Sequence, residues 1–243
     1  MPLRRLLAAL LVCFSLSAQA QSRADDPAHA FRQSWSGFAE YSNTSSHIVL
    51  GVAQNRRLAA LGFGYSLRLL HTRHFDWYYA PEVLPLVMIQ DPVATQTLTF
   101  RDLGSFTQSA PTFSSCRPST QTIPAHPVGP PAVTLETSCD TRWTYAGGLS
   151  PLGQRFNFRP RRRIQPFVIG NAGFLVAPRD IPVDDSSRFN FTFEFGAGVE
   201  LRRSQRHSWA LEYRLHHLSN DYTGTNNPGV DNQILRLTYS LSR

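Results

Sequence analysis

The chain has 243 residues, and its 24 basic residues, all arginine, outnumber 17 acidic ones to give a formal charge of +7. Its length fits one domain of barrel or sandwich size, or two small ones, and 42% hydrophobic with 12% aromatic residues argue against a disordered chain. Charged residues reach only 17%, below the roughly 25% of a typical soluble domain. Beyond the N-terminus no apolar run is long enough for a transmembrane helix, which leaves a transmembrane β-barrel open.

The first predicted element is a targeting segment over residues 1–20. Arg4 and Arg5 form a basic start, Leu6 to Ser17 an apolar core, and Ala18-Gln19-Ala20 a small-x-small cleavage site. The mature chain, 21–243, is then a single domain with a net charge of +5 after loss of Arg4 and Arg5. Cys13 leaves with the segment. Cys116 and Cys139 remain, and two cysteines in an exported chain predict one disulfide. Their spacing matches no common zinc pattern, and no metal or cofactor is expected. An exported chain seldom meets nucleic acid. Its arginines suit phosphorylated lipid headgroups, which accept paired hydrogen bonds.

Two-residue alternation dominates the rest. Eight strands are predicted, at about 33–42, 56–70, 76–90, 141–150, 163–176, 187–203, 207–219 and 231–242. The sixth is the clearest. Phe189, Phe191, Phe193, Phe195, Ala197, Val199 and Leu201 share one face, and Asn190, Thr192, Glu194, Gly196, Gly198, Glu200 and Arg202 the other. Several strands exceed the five or six residues usual in globular sheets. Their length, the charged second face and the export signal favour an eight-stranded antiparallel transmembrane barrel over a soluble one, with the apolar face turned to lipid. An even strand number and a periplasmic N-terminus place the first, third, fifth and seventh connections outside the cell. The third, about 91–140, is Pro-, Ser- and Thr-rich, holds both cysteines, and reads as a disulfide-pinned surface loop. The basic run Arg159-Pro160-Arg161-Arg162-Arg163 falls at a periplasmic turn and reads as a solvated turn. The cluster His71, His74, Trp77, Tyr78 and Tyr79 reads as an aromatic interface girdle.

Chemistry concentrates at the seventh hairpin. His217 and Ser219 continue the outward row of Trp209, Leu211, Tyr213 and Leu215, and Asp231 shares parity with Leu235, Leu237, Tyr239 and Leu241. All three therefore face one side of the sheet, at the ends of two joined strands. Residues i and i+2 lie about 6.6 Å apart along a strand, and the Asn-, Gly- and Pro-rich loop from Asn220 to Val230 turns the chain back beside His217. This supplies a nucleophile, a base and an orienting carboxylate. The alternative is that the strand has left the bilayer and His217 and Ser219 are interfacial.

From Pro151 onward the sequence resembles the PagL-type outer-membrane lipid A 3-O-deacylases and their acyloxyacyl-hydrolase-like relatives. The resemblance rests on Gln165-Pro166-Phe167, Gly170-Asn171-Ala172-Gly173, Phe189-Asn190-Phe191, Gly196-Ala197-Gly198-Val199, His217-Leu218-Ser219-Asn220 and Asn227-Pro228-Gly229. It implies an eight-stranded outer-membrane barrel with its active site at the outer leaflet. It implies a serine esterase removing the 3-O-linked hydroxyacyl chain of lipid A, the lipid of lipopolysaccharide. Ser219 matches the nucleophile and His217 the base, and Asp231 stands where the best-known members carry Glu. Asn220 and Asn227 match family asparagines and are candidate oxyanion donors, with turn formation the competing role. The 91–140 segment is long for the family. Two other functions compete with this one: a structural or adhesive barrel without enzymatic activity, and an esterase for another lipid.

Overall fold

The computed structural model describes residues 31–101, 103–125 and 132–243, so the expected signal segment lies outside the described residues. The described chain has no helix and forms one antiparallel sheet of twelve strands. They are β1 (Gln33–Ser42), β2 (Arg57–His71), β3 (Phe75–Tyr79), β4 (Glu82–Phe100), β5 (Gly104–Pro111), β6 (Ser119–Ile123), β7 (Val133–Ser150), β8 (Gln154–Phe158), β9 (Ile164–Ile181), β10 (Ser187–Arg202), β11 (His207–Ser219) and β12 (Val230–Ser242).

The sheet closes on itself. β3 and β4 continue one another across Ala80-Pro81, and β7 and β8 do so across Pro151-Leu152-Gly153. With each pair counted as one strand, the ring has eight members, and β1 joins both β2 and β12. The expected eight-stranded antiparallel barrel is therefore present. The strand expected at 141–150 is longer at both ends. Pro151 and Gly153 resemble a strand terminus, yet β8 goes on to pair with β3 and β9.

The segment at 91–140 is not the loop that its composition suggested. β4 and β7 run on together beyond the ring, from Asp91 opposite Arg142 to Phe100 opposite Val133. β5 pairs with β4, and β6 with β7, which makes a four-stranded extension in the order β5-β4-β7-β6. The Cys116–Cys139 disulfide forms and ties the β5–β6 connection to β7.

Alternation sets which face looks in. Phe191, Phe193, Phe195, Trp209, Leu211, Tyr213, Leu235 and Leu237 are exposed on the outer wall. Their neighbours Glu194, Glu212, Arg214 and Arg236 are buried in the lumen. This is the reverse of a soluble barrel and the arrangement of a membrane-spanning one. Inward charges need partners in a closed lumen. Arg214 bonds Glu194 at 2.6 Å and Glu212 at 2.6 Å, and lies 3.1 Å from Glu82. Arg236 bonds Glu40 at 2.6 Å and Glu82 at 2.7 Å, and its guanidinium stacks on Phe38 at 3.9 Å. A Cβ at Gly196 or Gly198 would collide with the Arg214 or Phe167 side chain, so these inward glycines make room for the network. The lumen is thereby filled, and the site forms on the outer wall at the end bearing the extension.

Candidate active site

β11 and β12 are joined by residues 220–229, and their ladder places His217 directly opposite Asp231. Parity turns both side chains to the outer wall. His217 Nδ1 lies 2.6 Å from Asp231 Oδ1. A carboxylate only accepts, so Nδ1–H donates and Nε2 keeps the lone pair that a general base requires. Ser219 is half-buried on the same face at the end of β11, with Phe191 as its ladder partner on β10. No hydrogen bond joins Ser219 Oγ to His217 among the described residues. The two side chains are successive members of one outward row, about 6.6 Å apart along the strand.

Asp231 is almost wholly buried, at 1% exposure. Its second oxygen faces the connection between β1 and β2. Oδ2 accepts backbone N–H groups from Ile48 at 3.1 Å, Val49 at 2.6 Å, Leu50 at 3.0 Å and Gly51 at 2.9 Å. Four amides and an imidazole thus hold one carboxylate, and each bond favours its charged form. Close approach depends on glycine. A Cβ at Gly51 would lie 2.7 Å from the Asp231 nitrogen and 2.9 Å from its Cγ. Gly229, with φ of +58°, passes under the imidazole, where a Cβ would lie 3.1 Å from His217 Cε1.

The β1–β2 connection is tied down at several points. Val52 N–H donates to Pro228 O at 2.6 Å, Ala53 N–H to Gly229 O at 3.1 Å, and Ser46 N–H to Asp231 O at 3.0 Å. Ser45 Oγ closes the loop on Ala53 O at 2.8 Å, and His47 Nδ1 meets Gly51 O at 2.6 Å. At its base, fully buried Arg56 bonds Asp91 at 3.1 Å and also donates to Gln54 O, Phe113 O and Thr112 O. The extension is thereby locked to the same loop.

The two asparagines differ in what they leave free. Asn220 is buried. Its Nδ2 donates to Asn226 O at 2.8 Å, and its Oδ1 accepts from Tyr222 N at 2.9 Å, so both ends of the amide are spent in the turn. Asn227 Oδ1 accepts from Asn220 N at 3.1 Å. No bond engages Asn227 Nδ2 among the described residues.

Sequence reasoning picked out His217, Ser219 and Asp231 but missed residues 48–51. Backbone amides leave no side-chain signature. The only hint was Gly51, closing an apolar stretch in an otherwise polar connection.

Among known families, residues 130–240 match the one described as lipid A 3-O-deacylase (PagL). The matched stretch contains His217, Ser219, Asn220, Asn227 and Asp231, and leaves the β1–β2 connection outside it. None of the curated proteins compared matches the chain. The likeness to the PagL family is thus to residues 130–240, the stretch that includes the candidate site.

Proposed function

We propose that the protein is an outer-membrane serine esterase that hydrolyses the 3-O-linked hydroxyacyl ester of lipid A. The observation that supports it most is the His217–Asp231 hydrogen bond on the outward, lipid-facing row. Ionisable groups on such a surface are costly unless they serve a function. The PagL match over the same residues supplies the substrate class.

In this reading His217 Nε2 takes the proton of Ser219 Oγ as the oxygen attacks the ester carbonyl. Asp231 holds the imidazole in the productive tautomer and stabilises it once charged. The oxyanion is met by Asn227 Nδ2, while Asn220 shapes the turn that presents it. The tetrahedral intermediate collapses, and His217 returns the proton to the departing sugar oxygen. Water, deprotonated by His217, then cleaves the acyl-Ser219 ester and frees a 3-hydroxy fatty acid. The acyl chain lies along the Phe191 and Phe193 wall during the reaction. Export through a cleaved signal over residues 1–20, with the site at the outer leaflet, belongs to the same proposal.

The test is analysis of fatty acids released by purified protein from vesicles of lipid A or of phospholipid. The expected product is a 3-hydroxy fatty acid from lipid A alone, absent with Ser219→Ala. Release of unsubstituted acids from phospholipid would favour a different lipid substrate. No release from either, by folded protein, would favour a non-enzymatic barrel.

A further inference from the structure

The β1–β2 connection combines two features that the reaction scheme does not use. Its backbone N–H groups at residues 48–51 converge on Asp231, whereas the side chains of Ile48, Val49, Leu50 and Val52 turn away from the protein. Leu50 is 72% exposed. Such a cluster of large apolar side chains, on a loop held by at least six hydrogen bonds to residues 228–231, is not a frayed tip.

Its height on the barrel indicates what covers it. The loop touches Asp231, and Asp231 is level with His217 in the β11–β12 ladder. On the other side of His217, the aromatic wall of β10 rises to the same level and past it. Phe193 is opposite His217 and Phe191 opposite Ser219, and Phe189 stands one outward position higher, stacked on Phe174 at 5.3 Å. The apolar surface facing lipid therefore reaches the site, and Ile48, Val49 and Leu50 extend it on the side away from β10. Between Tyr41 and Arg56 the only ionisable side chain is His47, whose Nδ1 is engaged by Gly51 O.

We infer that residues 48–52 form a lipid-inserted positioning element: their apolar side chains enter the outer leaflet against the acyl chains of the substrate, while the backbone amides of residues 48–51 fix the carboxylate that orients His217. The inference rests on the deacylase reading for its substrate but not for its membrane contact. The substrate then lies between two apolar walls, β10 on one side and this loop on the other. Both functions share one short backbone segment, so acyl-chain contact and carboxylate alignment depend on the same loop position.

Two measurements test this. The first is independent of catalysis. Leu50→Cys, labelled with an environment-sensitive nitrobenzoxadiazole group, is placed in vesicles containing lipids spin-labelled on the acyl chain. Leu211→Cys on the barrel wall serves as the reference. Quenching at residue 50 comparable to that at residue 211 is the expected result. Quenching at residue 211 alone overturns the insertion, and quenching at neither also removes the bilayer placement of the wall.

The second measurement separates the two roles kinetically on lipid A in vesicles, with folded barrel verified by its heat-dependent gel migration. Replacing Ile48, Val49 and Leu50 together by serine is expected to raise KM about tenfold or more, as apolar contact is lost, with a smaller effect on kcat. Gly51→Ala, which forces the amides off Asp231, is expected to lower kcat with KM nearly unchanged. Equal effects of both variants on KM and kcat, or none, would overturn the positioning role. An inactive wild type would count against the deacylase reading and leave the quenching result standing.

Discussion

Asp231 is one methylene shorter than the Glu that the resemblance implies at this position, yet it meets His217 at 2.6 Å because the two are direct ladder partners. In the proposed scheme its charge keeps the imidazole proton on Nδ1. Asp231→Asn offers an amide in its place and favours the wrong tautomer, so kcat should fall on the order of 10³- to 10⁴-fold. Asp231→Glu should lose far less, since the carboxylate is kept and only the amide cradle is crowded. A ratio of the two kcat values near one would contradict this role. Asn227→Asp keeps the acceptor for Asn220 N but loses the Nδ2 donor. It is expected to lower kcat on the order of 10²- to 10³-fold with little change in the unfolding midpoint. The outward parity of His217, Ser219 and Asp231 was legible in the sequence because strand geometry has a period of two. The cradle at residues 48–51 was not, since it is built from backbone and arrives from a connection some 180 residues away.

At the scale of elements, the legible strands were those with one clean apolar row. β10 was read nearly to its ends because apolar residues from Phe189 to Leu201 alternate with polar residues or glycine. β4 was cut at Asp91 because Pro92 and the following threonines suggested a loop. In fact Val93 to Phe100 pairs on both sides, with β5 and β7, and the Thr-rich alternation is that of a sheet exposed to solvent. β8 was missed because five residues after a proline and a glycine carry too short a pattern. The extension builds on the ring and contributes no strand to its closure. Replacing Cys116 and Cys139 by serine should therefore leave the heat-dependent migration of the barrel intact. Protease sensitivity within residues 101–131 should rise as the staple is lost, a constraint worth about 3 kcal/mol for a loop of this size. Loss of the folded barrel band in that variant would show that the extension is needed for closure.

For the whole molecule, the orientation of the two faces decides the surroundings that the barrel suits. Leu211→Arg puts a charge on the outer wall. It should cost about 2–4 kcal/mol in vesicles if that wall meets hydrocarbon, and almost nothing if it meets water. Arg236→Ala leaves Glu40, Glu82 and Glu194 without one of their cations in the lumen. Breaking a buried network in this way costs about 3–5 kcal/mol, readable as a lower urea midpoint for unfolding from vesicles. The barrel thus spends its polar residues inside and presents an apolar wall outside, broken at the site end by the His217–Asp231 pair and Ser219. In the proposed scheme that wall gives the ester of a membrane lipid direct access to Ser219. The most direct test is mass spectrometry of lipid A from cells producing the wild type, Ser219→Ala or His217→Ala, with matched amounts of folded protein in the outer membrane. Loss of one 3-hydroxyacyl chain in the wild type alone is the expected result, and three profiles identical to that of cells without the protein would contradict the deacylase assignment.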